Sequence, residues 1–176
     1  MGERLTVVRP PAIYGPGDRE LLPLFQLAAT SPVLPVLGES ARTAVIHVED
    51  AAAQVAELAG RPPSGATYAL TDARPDGYGW REIMQAAAEV MDARPRLTRA
   101  PAAAVKALAL LSVGQRWAGA APIFTPGKAR ELLHTDWSVK SDEIAPGLPV
   151  QKFDLWNGLA HTADWYRAVG WLPKIL

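Results

Sequence analysis

Apolar and polar positions follow two rhythms along this chain. Leu5-Thr6-Val7-Val8 is an apolar run too short for a helix, and it reads as a buried strand. Pro10 and Pro11 fix φ and remove two backbone donors, so that strand must stop before them. A stiff, glycine-hinged loop, Tyr14-Gly15-Pro16-Gly17, follows. Leu21, Leu22, Leu24, Phe25, Leu27 and Ala28 then recur at helical spacing over 20–30. Asp18 lies near the start, where a carboxylate suits the helix dipole, and Pro32 and Pro35 end the segment.

The pattern continues with an extended piece over 33–37, closed by Gly38, and a β-branched entry over 44–48. Residues 49–58, alanine-rich with two acids in the first turn, predict a helix stopped by Gly60. Residues 66–70 predict a second strand of parallel type. Trp80, Ile83, Met84, Ala87, Val90 and Met91 predict an amphipathic helix. A brief extended piece over 96–98 leads to Pro101, which suits a first helical turn and opens a long helix to about Trp117. A short helix runs from Pro126 to His134, 136–150 is irregular, and a last helix spans 155–169 before Gly170. Trp156, Trp165, Tyr166 and Trp171 fall on or beside that helix and read as core packing.

Strands alternating with helices, then mostly helices, predict an α/β chain. It is a partial doubly wound, Rossmann-like sheet of outer parallel strands with a small α-rich cap. The 176 residues read as a single unit, with outer strands near 5–8 and 66–70 and a cap from 19–46 and 71–176. The run from Ala102 to Val113 is the most apolar. Lys106 interrupts it, and it falls short of the roughly 20 residues that span a bilayer. It reads as a buried or substrate-lining helix, with a membrane-surface role as the lesser alternative.

Charge and composition narrow the chemistry. The 18 basic and 18 acidic residues balance, so no nucleic-acid partner is expected. There is no cysteine, hence no disulfide or thiolate chemistry. His134 and His161 lack ligand spacing with each other or with a carboxylate cluster, so no metal is expected. No Gly-x-Ser-x-Gly nucleophile elbow is present. The start of the chain carries no apolar signal segment, and a cytoplasmic protein with no membrane partner is the expectation.

Arg9-Pro10-Pro11-Ala12-Ile13-Tyr14-Gly15-Pro16 resembles the strand and loop that follow the catalytic helix in extended short-chain dehydrogenase/reductases, the NAD-dependent epimerase/dehydratase family. Residues Val45 to Ala52 and the Asp164-Trp165-Tyr166-Arg167 stretch with Gly170-Trp171 resemble later segments in the right order. The resemblance covers nearly the whole chain but only the second half of the family's fold.

That resemblance implies NAD or NADP as cofactor and a small-molecule substrate. It places the backbone of Pro10, Pro11, Ala12 and Ile13 against the nicotinamide, with Tyr14, Arg42 and His47 on the substrate side. Nucleotide-sugar members often carry Asn where Ala12 stands, so the implied branch is reductase-like. Read without the family, Pro10–Ile13 is a stiff strand exit, Arg42 a solvated loop residue and His47 a hydrogen-bonded structural histidine. Glu49 and Asp50 read as stabilising a helix N-terminus.

Two absences matter. No glycine run has the Gly-x-x-Gly-x-x-Gly spacing that lets backbone approach a pyrophosphate. The four tyrosines are followed four residues on by Asp18, Asp72, Glu82 and Gly170, so the family's Tyr-x-x-x-Lys acid/base pair is missing as well, and no residue here is expected to be catalytic. The expectation is therefore the substrate-side, carboxyl-terminal portion of such an oxidoreductase, inactive alone and calling for an amino-terminal half. The alternative is a non-catalytic interaction module, pairing through an exposed sheet edge into a homo-oligomer.

Overall fold

Val7–Arg9 (β1) pairs in parallel with Thr67–Ala69 (β6), Val8 lying opposite Tyr68. The computed structural model describes residues 5–38, 40–114 and 125–173. Val8 turns inward against Ile46, Ala51, Leu58 and Leu70, whereas Val7 is exposed. A parallel pair needs a long crossover, and the segment between β1 and β6 supplies it.

The stretch after the double proline is not the free loop that the sequence suggests. Ala12–Tyr14 (β2) pairs in parallel with Val45–His47 (β5), Tyr14 opposite His47. Pro10 and Pro11 end β1 as expected, but the next three residues keep their N–H groups and form a new ladder. The prolines hand the chain from one sheet to another. The connection closes with Gly15 at φ 145°, where a Cβ would stand 2.6 Å from Val48 Cγ1.

Leu22–Thr30 (α1) carries Pro23 in its first turn, which costs no hydrogen bond there. Asp18 does not cap it; its carboxylate accepts from the Glu20 amide at 2.7 Å, in a turn before the helix begins. Phe25 is fully buried and meets Tyr166 edge-on at 5.5 Å. Full burial of such a side chain contributes about 1.5–3 kcal/mol.

Val33–Leu37 (β3) and Arg96–Ala100 (β8), each a brief extended piece by sequence, pair in parallel over five residues. β3 has one neighbour among the described residues, so Pro35 can sit on its open side without breaking a ladder. Arg42–Thr43 (β4) lies between Tyr78–Gly79 (β7) and Asp136–Trp137 (β9), so 136–150 is not wholly irregular. Gly77, at φ 72°, makes that meeting possible, since a Cβ there would stand 2.5 Å from the Thr43 carbonyl carbon.

The helices fall close to expectation. They are Val48–Ala59 (α2), Trp80–Val90 (α3), Ala102–Gly114 (α4), Pro126–Leu132 (α5) and Leu155–Ala168 (α6). The expected extension of α4 to Trp117 lies outside the described residues. Glu82 reaches back to the Gly79 amide and closes the start of α3 at 2.9 Å. Asp154 caps α6 by accepting from the Asn157 amide at 2.8 Å.

The main core joins α1, α3 and α6 through Phe25, Ile83, Ala86, Leu159, Ala163 and Tyr166. The aromatic residues of α6 do not share one face. Ten positions along a helix leave two side chains about 80° apart, so Trp156 lies at the edge and donates to Glu89 at 2.9 Å while Tyr166 is buried and donates to the Asp18 carbonyl. α4 departs from its expected burial: Val105, Ala109 and Ser112 are buried, but Leu108, Leu110 and Leu111 are exposed.

Candidate functional site

Pro10, Ala12 and Ile13 are exposed and Pro11 is half-buried, so this segment presents an open, largely apolar wall. Ile13 alone is 44% accessible although it stands in a strand. The wall is held from behind. Tyr14, the next residue, is buried and donates to the Asp154 carbonyl at 3.3 Å. Burial, then the charges of nearby acids, pushes the Tyr14 phenol far above its ordinary range. Held protonated and hydrogen-bonded from behind, the phenol anchors the wall.

His47 ends β5 and opens α2. Its Nδ1 accepts from the Glu49 amide at 3.3 Å, which makes it the helix cap. That bond assigns the neutral ring's proton to Nε2, which lies 3.2 Å from His161 Nδ1. Burial first, then His161, lowers the proton affinity of His47, so the ring stays neutral. Tyr14 meets it edge-on at 5.6 Å and Phe153 covers it at 3.9 Å. His47 is therefore a hydrogen-bonded core residue whose partner, 114 positions away, no sequence pattern revealed.

His47, Glu49 and His161 bring one ligand atom each within 4.8 Å of the others. The hydrogen-bond pattern does not suit a cation. A metal on Nε2 of His47 requires Nδ1 to carry the proton and donate it. Here Nδ1 faces a backbone N–H, and that donor would lose its acceptor.

Further polar groups seat the segment that leads into α6. Asp50 is buried, and its carboxylate accepts from the amides of Lys152 at 2.9 Å and Phe153 at 3.1 Å. It stands in the first turn of α2, as the sequence placed it, and its hydrogen bonds go to a distant loop. Gln54 clasps Thr71 through both its amide atoms, donating to the carbonyl at 2.7 Å and accepting from the N–H at 3.3 Å. Asp72 accepts from the Tyr78 hydroxyl at 2.7 Å and the Arg74 amide at 2.8 Å. Burial outweighs these bonds and raises the Asp72 carboxyl above the usual carboxylate range.

Arg42 stands apart from Tyr14 and His47. Five extended residues from Arg42 to His47 span about 16 Å. It lines an open cleft of about 630 Å³ with Arg74, Asp76, Asp136 and Ser138. Its guanidinium lies 3.3 Å from Glu82, which Arg74 also engages at 2.8 Å. Desolvation raises the Glu82 carboxyl, but the Gly79 amide and the two guanidinium groups hold it below its ordinary value. Two arginines facing Glu82, Asp76 and Asp136 leave no net positive charge for an anion. The structure thus brings Tyr14 and His47 together in the core, leaves Pro10–Ile13 on the open face, and puts Arg42 in a separate cleft.

The exposed, largely apolar surface of Pro10–Ile13 has the chemistry that a flat, weakly polar ring such as nicotinamide can lie against. Neither the Gly-x-x-Gly-x-x-Gly spacing nor a Tyr-x-x-x-Lys pair occurs in the sequence.

No family model matches the chain. The ceramide reductase of Caulobacter vibrioides (strain NA1000 / CB15N) is 55% identical over 169 residues, which cover 96% of this chain and 53% of that protein. The chain thus spans about half the length of this curated relative. Among solved structures, a human epimerase family protein with NADPH superposes with a TM-score of 0.68 at 17% identity, over 92% of this chain and 48% of that one. A dTDP-glucose 4,6-dehydratase from Streptomyces venezuelae, with NAD and TYD bound, gives 0.61 at 18% identity over 97% and 46%. The fold of this chain is the carboxyl-terminal half of the extended short-chain dehydrogenase/reductase, or NAD-dependent epimerase/dehydratase, fold.

Proposed function

We propose that this chain is the substrate-side portion of an NAD(P)-dependent reductase of the extended short-chain dehydrogenase type, acting on a ceramide-type lipid and unable to hold the dinucleotide alone. The observation that carries this reading is the 55% identity to a ceramide reductase across 96% of the chain. In this reading β1 and β6 are the outer strands of the sheet, and residues 19–46 and 71–176 form the cap over the substrate. Ala12, where sugar-nucleotide enzymes often carry Asn, agrees with a lipid in place of a sugar nucleotide.

The nicotinamide, when bound, would supply hydride to an electrophilic carbonyl carbon. Pro10–Ile13 would wall the reacting pair and exclude water from one side. Tyr14 and His47 would hold that wall in place from within the core, and the open edge of β1 would receive the next strand of the sheet.

Fluorescence titration with NADPH and NADH tests the division of labour. The chain alone is expected to bind neither at micromolar concentration. Joined to the preceding half of the Caulobacter relative, it is expected to oxidise NAD(P)H in the presence of a keto-ceramide. Micromolar dinucleotide binding by the chain alone would overturn the reading.

A second reading has one observation in its favour. β1 has a single strand neighbour among the described residues, and Leu5 and Val7 beside that edge are 71% and 40% exposed. Such an edge is a pairing template, and a homo-oligomer formed through it would make the chain an interaction module. Sedimentation at rising concentration separates the two readings: a monomer throughout removes the second.

A further inference from the structure

The outward face of α4 is apolar, the reverse of an ordinary surface helix. Val105, Ala109 and Ser112 recur at four and three residues and are buried, packing with Leu37 and Ala129. The opposite arc carries Ala104, Ala107, Leu108 and Leu111, all exposed, with Leu110 on the other flank. Leu108, Leu110 and Leu111 are 60%, 67% and 75% accessible. One exposed leucine needs no explanation, but three within four residues of one helix form a patch. Lys106 is the one charged residue of α4, at the rim of the patch.

Charge along this stretch of sequence is one-sided up to Glu131, which pairs with Lys128 at 3.1 Å. The whole chain is neutral, yet the sequence from Ala93 to Arg130 holds seven Lys and Arg and no Asp or Glu. Arg94, Arg96 and Arg99 are exposed, on or next to β8, which runs through Pro101 straight into α4. Their position is unfavourable for the helix itself. The amino-terminal end of a helix is positive and prefers acids, and α4 has none in its first turn. The arginines at its root therefore do not serve helix stability. Exposed leucines rimmed by cations are the composition of an element that lies in a membrane interface, its apolar side among acyl chains and its cations at the headgroups. No helix among the described residues is long and apolar enough to cross a membrane, so this contact is with the surface.

We infer that α4, with Arg96 and Arg99 at its root, docks on the surface of an anionic lipid bilayer. This inference rests on the ceramide-type reading only for its purpose: a substrate that resides in a bilayer is reached most directly by a cap that touches the bilayer. The leucines and the charge asymmetry stand without it.

Co-sedimentation of the full 176-residue chain with vesicles tests the inference. Vesicles of phosphatidylcholine mixed with phosphatidylglycerol are compared with pure phosphatidylcholine, at low and high salt. Binding is expected to the anionic vesicles, weakening with salt as surface charge is screened. Leu108→Gln with Leu111→Gln, at exposed positions and with a good helix former, is expected to lower the partition about tenfold with an unchanged circular dichroism spectrum. Arg96→Glu with Arg99→Glu is expected to remove the preference for anionic lipid. Three results would overturn the inference: no binding to either vesicle, equal binding by the leucine variant, or a concentration-dependent dimer abolished by that variant, which would make a second copy the occupant. The chain joined to the preceding half of the Caulobacter relative, if inactive on keto-ceramide but bound to vesicles, overturns the substrate reading alone. Activity on detergent-dispersed substrate without vesicle binding overturns the docking alone.

Discussion

His47 Nε2 and His161 Nδ1 face each other across 3.2 Å, and the direction of the hydrogen bond between them is set on the far side of the first ring, where Nδ1 takes the Glu49 amide. The proton of the pair therefore belongs to His47 and points at His161. Protonating His161 on Nδ1 removes the acceptor, and protonating His47 on Nδ1 removes the helix cap.

The pH response follows from this pair. Burial, then His161, lowers the proton affinity of His47 in the folded chain below its ordinary value of 6.5. The unfolded chain then binds more protons between the folded value and 6.5, so this residue's contribution is complete above 6.5 and is lost as pH falls through the folded value. His161→Gln keeps an acceptor for Nε2 and removes one of the two causes. In nitrogen-15 spectra the His47 titration midpoint is expected to move up toward 6.5 in that variant. A midpoint that stays in place would mean that burial alone accounts for the lowering.

Gly158 is the seat of the Tyr14 ring. A Cβ at 158 would overlap the hydroxyl and stand 2.8 Å from Tyr14 Cζ. Gly158→Ala is expected to cost about 1–3 kcal/mol in urea unfolding, as overpacking does. Combined with Tyr14→Phe, which removes the nearest atom, it is expected to cost less than the sum of the two single changes. Simple additivity in that cycle would show that the ring moves aside freely.

Asp50 ties α2 to the segment before α6. Asp50→Ala strands the part-buried amides of Lys152 and Phe153 and is expected to destabilise the chain by about 1–3 kcal/mol. Hydrogen exchange is expected to quicken first at those two amides. Unchanged protection there would show that another acceptor replaces the carboxylate.

Gly77 has no tolerant substitute. Its φ of 72° disfavours a side chain, and the Cβ would meet backbone, which cannot rotate away. Gly77→Ala is expected to cost about 2 kcal/mol or more. The damage is expected to concentrate in β4, β7 and β9, visible as lost amide protection at Arg42 and Thr43.

Periodicity made much of the fold legible. The strand over 66–70 and the helices starting near 21, 48, 80 and 155 each carry a run long enough for its period to show. β2 stayed hidden because two prolines precede it and because three residues hold no rhythm. The two-residue strands around Arg42 are defined by partners 37 and 94 positions away (Gly79 and Asp136), which no local window contains. The same distance concealed the site: His161 and the amides over 152–153 have no pattern linking them to His47 and Asp50. The apolar composition of α4 suggested burial, because composition records what a residue avoids and leaves open whether protein or lipid shields it.

The carboxylate of Asp50 waits for chain made 102 residues later. During synthesis, α2 emerges before that partner, with an acid whose acceptor sites are still unfilled by protein. Until the stretch around Lys152 has left the ribosome, water must occupy that place and the strands behind α2 remain open. Assembly of this chain is thus closed from its carboxyl-terminal end, so a nascent polypeptide halted before that point exposes the interior that the finished one conceals.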